Sequence, residues 1–127
     1  MRLIHTEDAP RPAGHYAQGV AHGGVVYCAG QLPKDPTWPD APHGTVEEQV
    51  ARTLHNVEAI LRTGGSGLEH LLSVTIYVTD MALWPRVNAA YAAILGDHRP
   101  ARTVVPVPSL NGGYLVEITA VGAVAPR

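Results

Sequence analysis

The chain has a single cysteine, Cys28, no block of lysines and arginines, no long apolar run and no internal repeat. A lone cysteine cannot close an internal disulfide, which fits a reducing compartment. A formal net charge of -2, without a basic cluster, leaves no electrostatic footprint for nucleic acid, so an RNA or DNA partner is disfavoured. No apolar stretch approaches the roughly 18 residues needed to span a bilayer, so no membrane role is expected. The N-terminal run Met1-Arg2-Leu3-Ile4-His5-Thr6-Glu7-Asp8 lacks an apolar signal core and is already acidic, so export is not expected either. A cytoplasmic protein is the expectation.

What is present points to one globular domain spanning residues 1–127. Hydrophobic residues make up 46% of the 127, enough to bury a core. Val25-Val26-Tyr27-Cys28-Ala29, apolar throughout and flanked by Gly24 and Gly30, predicts a strand covered on both faces. The stretch from Tyr16 to His22 reads as its hairpin partner, turning at Gly23-Gly24. Four prolines between Pro33 and Pro42 exclude a central strand or a helix there and predict an ordered loop.

Thr45 and Glu48 have the spacing of a capping box. Val46, Val50, Leu54, Val57 and Leu61 then recur in steps of three or four, which is one apolar helical stripe. Gly64-Gly65 ends it. Alternation from Ser73 to Thr79 predicts a strand. A second helix should carry Val87, Ala90, Tyr91, Ile94 and Leu95, with Pro85 in its first turn. Ala101 to Val107 and Tyr114 to Val124 complete the set as strands. This order is that of an α+β fold, a mixed sheet with two helices on one face. The uncovered sheet face then favours self-association.

Two charges interrupt apolar strands, Arg102 in Ala101-Arg102-Thr103-Val104-Val105 and Glu117 in Leu115-Val116-Glu117-Ile118. An unpaired buried charge costs several kcal/mol, so patterning leaves two readings open. Either the pair is structural or solvent-facing, or it is a site in which Arg102 grips a carboxylate and Glu117 positions water. The remaining candidates read as structural. Cys28 is a small buried hydrophobe. Tyr16 and Asn88 taken alone suit a core ring and an exposed helix face. Trp38 and Trp84 are packing residues, with the cleft rim as an alternative for Trp38. His5, His15, His22, His43, His55, His70 and His98 are scattered without a metal-ligand spacing, so no metal is expected.

Six segments taken in order resemble the Rid (YjgF) family over nearly the whole chain. They are Ala13-Gly14-His15-Tyr16-Ala17-Gln18-Gly19-Val20, Cys28-Ala29-Gly30-Gln31-Leu32-Pro33, Val74-Thr75-Ile76-Tyr77-Val78-Thr79-Asp80-Met81, Val87-Asn88-Ala89-Ala90-Tyr91, Pro100-Ala101-Arg102-Thr103 and Leu115-Val116-Glu117-Ile118. The resemblance implies a chorismate-mutase-like (YjgF) fold and a homotrimer with a site in each inter-subunit cleft. It implies hydrolysis of small 2-imino acids or enamines, such as 2-aminoacrylate, to 2-keto acids and ammonium, without a cofactor. The family's carboxylate-gripping arginine matches Arg102 and its water-positioning glutamate matches Glu117. Tyr16, Asn88, Ala29, Gly30, Thr103 and the backbone N–H of Val104 fall at substrate-binding positions, and His15 beside Tyr16 adds a titratable ring. Three residues depart from the family pattern: Ala29 stands where many members have a hydroxyl, Val104 where many have a cysteine, and His15 where proline is usual. These departures leave open two alternatives, a module that binds keto acids without turnover and an enzyme recruited to a larger substrate, with His15 and Trp38 shaping its pocket.

Overall fold

A computed structural model describes residues 1–126. Six strands, β1 (Arg2–Ile4), β2 (Gly19–His22), β3 (Val25–Gln31), β4 (Leu71–Val78), β5 (Ala101–Pro106) and β6 (Val116–Ala123), form one sheet in the order β1-β2-β3-β6-β4-β5. Helices α1 (Val46–Thr63) and α2 (Trp84–Leu95) supply the crossovers. All strand pairs are antiparallel except β4 with β5. That parallel pair needs a long connection between its strands, and α2 provides it. The last strand, β6, lies between β3 and β4, which therefore run in the same direction on either side of it.

Local chemistry sets the ends of these elements. The Thr45 side chain accepts from the Glu48 N–H, and the Glu48 carboxylate accepts from the Thr45 N–H, so the expected capping box is formed. Val46, Val50, Leu54, Val57 and Leu61 are all buried. They share one core with Val26, Val74, Ile76, Ile118 and, from α2, Val87 and Tyr91. Both helices thus cover the same face of the sheet. The β2–β3 hairpin turns through Gly23 and Gly24, whose φ values of 59° and 78° are the paired positive angles that a tight hairpin demands and that glycine supplies without strain.

One expectation is overturned and one strand is new. β3 is not covered on both faces: Val26 is fully buried, whereas Tyr27 is 51% exposed. Its apolar composition reflects an inner face against α1 and an outer face with no cover within one chain. β1 went unread because three residues with an arginine and a flanking histidine carry no period, and only pairing with β2 makes them a strand.

The proline-rich loop is held by polar side chains. Asn56, buried on α1, donates to the carbonyls of Leu32 and Lys34 at 3.1 and 2.8 Å. The Asp35 carboxylate accepts from the Thr37 N–H and hydroxyl, both at 2.8 Å, and these bonds hold its pKa below the usual value. Buried Gln49 ties two more segments together, donating to Gly44 O at 3.3 Å and accepting from Leu115 N–H at 2.9 Å. Buried Gln18 secures the N-terminal loop through bonds to Thr6, Ala9 and Pro10. The loops beside the sheet are thereby fixed by buried amides, each satisfying backbone groups that would otherwise be stranded.

Candidate functional site

Glu117 sits on the central strand. In the ladder it pairs with Tyr77 of β4, which pairs with Val105 of β5. Residues paired across a ladder point to the same side. The buried neighbours Ile76 and Val78 face the helices, so Glu117 and Tyr77 face away from them. Close to Glu117 the register between β3 and β6 slips: Cys28 pairs with Ala120 but Gln31 with Ile118. Ala29 and Gly30 therefore stand together across from Thr119, a bulge of the kind that re-aims a strand beside a site. The absence of a side chain at Gly30 makes room for the glutamate, since a Cβ there would lie 3.2 Å from Glu117 Cδ. Burial pushes the Glu117 pKa up: water is partly stripped from the carboxylate, and the neutral form gains.

Glu117 opens into a cavity of about 480 Å³, lined also by Tyr16, Gly30, Lys34, His43 and Tyr114. The Tyr16 hydroxyl accepts from the Ala13 N–H at 3.3 Å, so this ring braces its own loop and is half exposed. Ala29 donates its N–H to Gln18 O at 2.9 Å and brings no hydroxyl of its own to the bulge.

Arg102 occupies a different place. It pairs with Val74, which pairs with Ala120. Both of these are buried on the helix side, so Arg102 points to the opposite face from Glu117. It lies on β5, the edge strand, and is exposed. The burial penalty argued from the sequence therefore does not apply to it, because the apolar residues around it reflect strand propensity at an edge. The guanidinium is nevertheless held. Its Nη1 donates to Asn88 Oδ1 at 2.9 Å, and its Cζ lies 4.8 Å from the Trp84 ring centre and 5.1 Å from that of Tyr91, both within cation–π range.

A second cavity of about 350 Å³ lies here, lined by Asn88, Tyr91, Arg99 and Arg102 among others. The Tyr91 hydroxyl is buried without a hydrogen-bond partner among the described residues. Burial pushes its pKa up, with Arg102 pulling weakly the other way. Thr103 and Val104 continue the same strand. Thr103 is exposed and pairs with Thr75 on the outer face, while half-buried Val104 pairs with Ile76 on the helix side.

The nine residues singled out from the sequence thus fall into two groups, with one outside both. Tyr16, Gly30 and Glu117 share a cavity, with Ala29 in the adjoining bulge. Asn88 and Arg102 share the other, with Thr103 and Val104 alongside. His15 is exposed and lines neither cavity. Trp38 lines neither, standing in an adjoining depression with Arg52 and His55 that shares His43 with the Glu117 cavity. The sequence did not reveal His43 and Tyr114, whose rings stack in the Glu117 cavity at 4.1 Å between centres and 26° between planes. Nor did it reveal Trp84 and Tyr91 as the seat of the arginine. Cys28 is buried as expected, its thiol pushed up to about 12. Among the described residues no group of three or more His, Cys, Asp or Glu is placed to hold a metal ion, and no helix is long and apolar enough to cross a membrane.

A mixed six-stranded sheet with two helices on one face and a bulge beside a central glutamate is the YjgF fold, the chorismate-mutase-like architecture implied by the sequence. Residues 6–124 match the family described as endoribonuclease L-PSP, and the chain belongs to this family, the YjgF or Rid proteins. A RutC family protein of Pyrococcus horikoshii is 37% identical over 119 residues, 94% of either chain. The Escherichia coli YjgF structure superposes with a TM-score of 0.91 at 33% identity, covering 97% of this chain and 98% of that one. The E. coli TdcF structure, which holds bound serine, gives 0.92 at 30% identity, covering 98% of this chain and all of the other (100%).

Proposed function

We propose that this chain hydrolyses small 2-imino acids and enamines to 2-keto acids and ammonium, in clefts that two copies complete together. The observation that carries the reading is the division of the site. Glu117 and Arg102 point to opposite faces of one sheet and open into separate cavities, so one chain cannot apply both to one small molecule. A homotrimer in which the open sheet faces pack together, as the family resemblance implies, sets the Arg102 edge of one copy against the Glu117 cavity of the next. The bound serine in TdcF is itself a small carboxylate-bearing molecule, which suits this division of labour.

The chemistry asks little of the protein. The carboxylate of the imino acid is held by the guanidinium of Arg102, whose fork Asn88, Trp84 and Tyr91 have already oriented. The protonated imine carbon is electrophilic. Glu117 holds a water against it and takes a proton as the C–O bond forms. That proton passes to the nitrogen; as the C–N bond breaks, Glu117 takes the proton of the new hydroxyl and hands it to the departing ammonia, and the products are the 2-keto acid and ammonium. An enamine first gains a proton at carbon to reach the same imine. The upward shift at Glu117 suits a group that must both accept and return a proton. No cofactor is needed for any of these steps.

A second reading, a module that binds keto acids without turnover, is favoured by Ala29, which brings only a methyl group to the bulge next to Glu117. An RNA-cleaving role, which the family description suggests, gains nothing from a net charge of -2. The deciding assay generates iminopropionate in solution and follows pyruvate and ammonium. Acceleration by the wild-type protein that disappears in Arg102→Ala supports the proposal. Calorimetric binding of pyruvate with no acceleration selects the binding module, and acceleration that survives in Arg102→Ala defeats the assignment.

A further inference from the structure

We propose that the cleft prefers imino or keto acids with an aromatic side chain, whose ring seats against the His43–Tyr114 stack; this rests on the reading of the cleft given above. Three observations carry it. The Glu117 cavity, at about 480 Å³ in one chain before a second copy closes over it, lies within the range of small-molecule sites. Its wall carries two stacked rings, an aromatic surface against which a further ring gains contact energy beyond its buried area. The stack is also built rather than incidental: Gln49, 2% exposed, bonds the segments carrying both rings, through Gly44 O on one side and Leu115 N–H on the other. Gly112, at φ 76°, closes over the tyrosine so tightly that a Cβ there would lie 2.9 Å from the ring.

Position and charge agree with this choice. Tyr114 precedes Glu117 by three residues, roughly 10 Å of backbone at most, and both line the same cavity. Glu117 and the stack thus share one cavity, with the stack within reach of a ring-bearing side chain. The cavity holds Asp40 and Glu117 against Lys34, a balance that disfavours a second carboxylate on the side chain. An aliphatic chain gains burial there but no stacking. Gln49 acts here as a positioning residue, and His43 as the one that contacts the ring.

The test compares kcat/KM for imines made in solution from phenylalanine and from alanine. The wild-type protein is expected to favour the aromatic imine by about tenfold, as one ring–ring contact allows. His43→Ala, at an exposed position that tolerates truncation, is expected to lower that ratio three- to tenfold, by the same stacking energy. His43→Phe, which keeps the stack but not the titratable ring, is expected to restore it, while His55→Ala, outside the cavity, leaves it unchanged. A wild-type ratio at or below one overturns the inference while the deaminase reading stands. A ratio unmoved by His43→Ala, or one that His43→Phe fails to restore, overturns it as well. Should neither imine be turned over, the deaminase reading fails, and calorimetry decides the inference alone. Tighter binding of phenylpyruvate than of pyruvate, lost in His43→Ala, upholds it; equal affinities overturn it.

Discussion

The two ends of the candidate site are built by different means. Glu117 lies on the central strand, half-buried, facing a bulge and a glycine that leave it room, with its pKa pushed up by burial. Arg102 lies on the edge strand, exposed, its orientation fixed by one hydrogen bond and two aromatic faces. The first end is already half-buried and tuned within one chain. The second is oriented but open, as a group is when a neighbouring molecule completes its surroundings. An exposed guanidinium keeps its charge at no desolvation cost until a carboxylate arrives, while a half-buried carboxylate is tuned before anything binds.

Breaking the open end should have the largest effect. Arg102→Ala removes a charge-assisted contact of about 1.5–3 kcal/mol together with the geometry it sets. A fall in kcat/KM of at least about a hundredfold for iminopropionate is expected, read by pyruvate formation. A milder blow falls on the half-buried end. Gly30→Ala places a methyl group 3.2 Å from Glu117 Cδ, so the carboxylate must shift. Roughly a tenfold loss in kcat is expected from that misplacement, with keto-acid affinity measured by calorimetry nearly unchanged. Equal losses in kcat and affinity would contradict the separation of roles.

pH sharpens the same contrast. Glu117 must be ionised to take a proton, and its folded pKa is raised, so kcat/KM should climb with pH through a midpoint above the ordinary glutamate value of about 4.3. For stability the sign is opposite. The folded protein holds the Glu117 proton more tightly than the unfolded chain, so stability from this group is full below the unfolded pKa and is lost as pH rises through the folded one. Glu117→Gln should therefore gain in Tm relative to wild type between acidic and neutral pH, while losing activity throughout that range. Thermal melts across that range check the gain, and a melting difference that stays flat with pH would count against a desolvated Glu117.

The smallest catalytic effect belongs to the groups that orient Arg102. Asn88→Ala frees the guanidinium from one bond and is expected to raise KM a few-fold, with an energy of about 1 kcal/mol, leaving kcat close to wild type. Thr45→Ala gives a reference with no catalytic component. Loss of the capping box should cost about 1 kcal/mol of stability by denaturant unfolding, without changing kcat/KM of the folded protein.

Sequence pattern made some of this legible and hid the rest for physical reasons. Helix α1 was readable because its cap and its apolar stripe are local, set by residues three or four apart. The interruption of apolar strands by Arg102 and by Glu117 was visible too, but the same signal has two causes. A strand's own residues do not say whether it is central or an edge, and that depends on the last strand inserting between β3 and β4. For the same reason β3 looked covered on both faces although Tyr27 is open. The His43–Tyr114 pair was out of reach because its members lie far apart in the chain. Gln49 on α1, bonding to the segment of each, ties them together in the fold.

The most direct test mixes two inactive variants, Arg102→Ala and Glu117→Gln, unfolded and refolded together. A site shared between copies regains an intact Arg102 and Glu117 wherever the two variants meet in the right order, so the mixture should recover about a quarter of wild-type activity for random assembly of a cyclic oligomer. No recovery, from a mixture shown to form mixed oligomers, would contradict the division of this site between two chains.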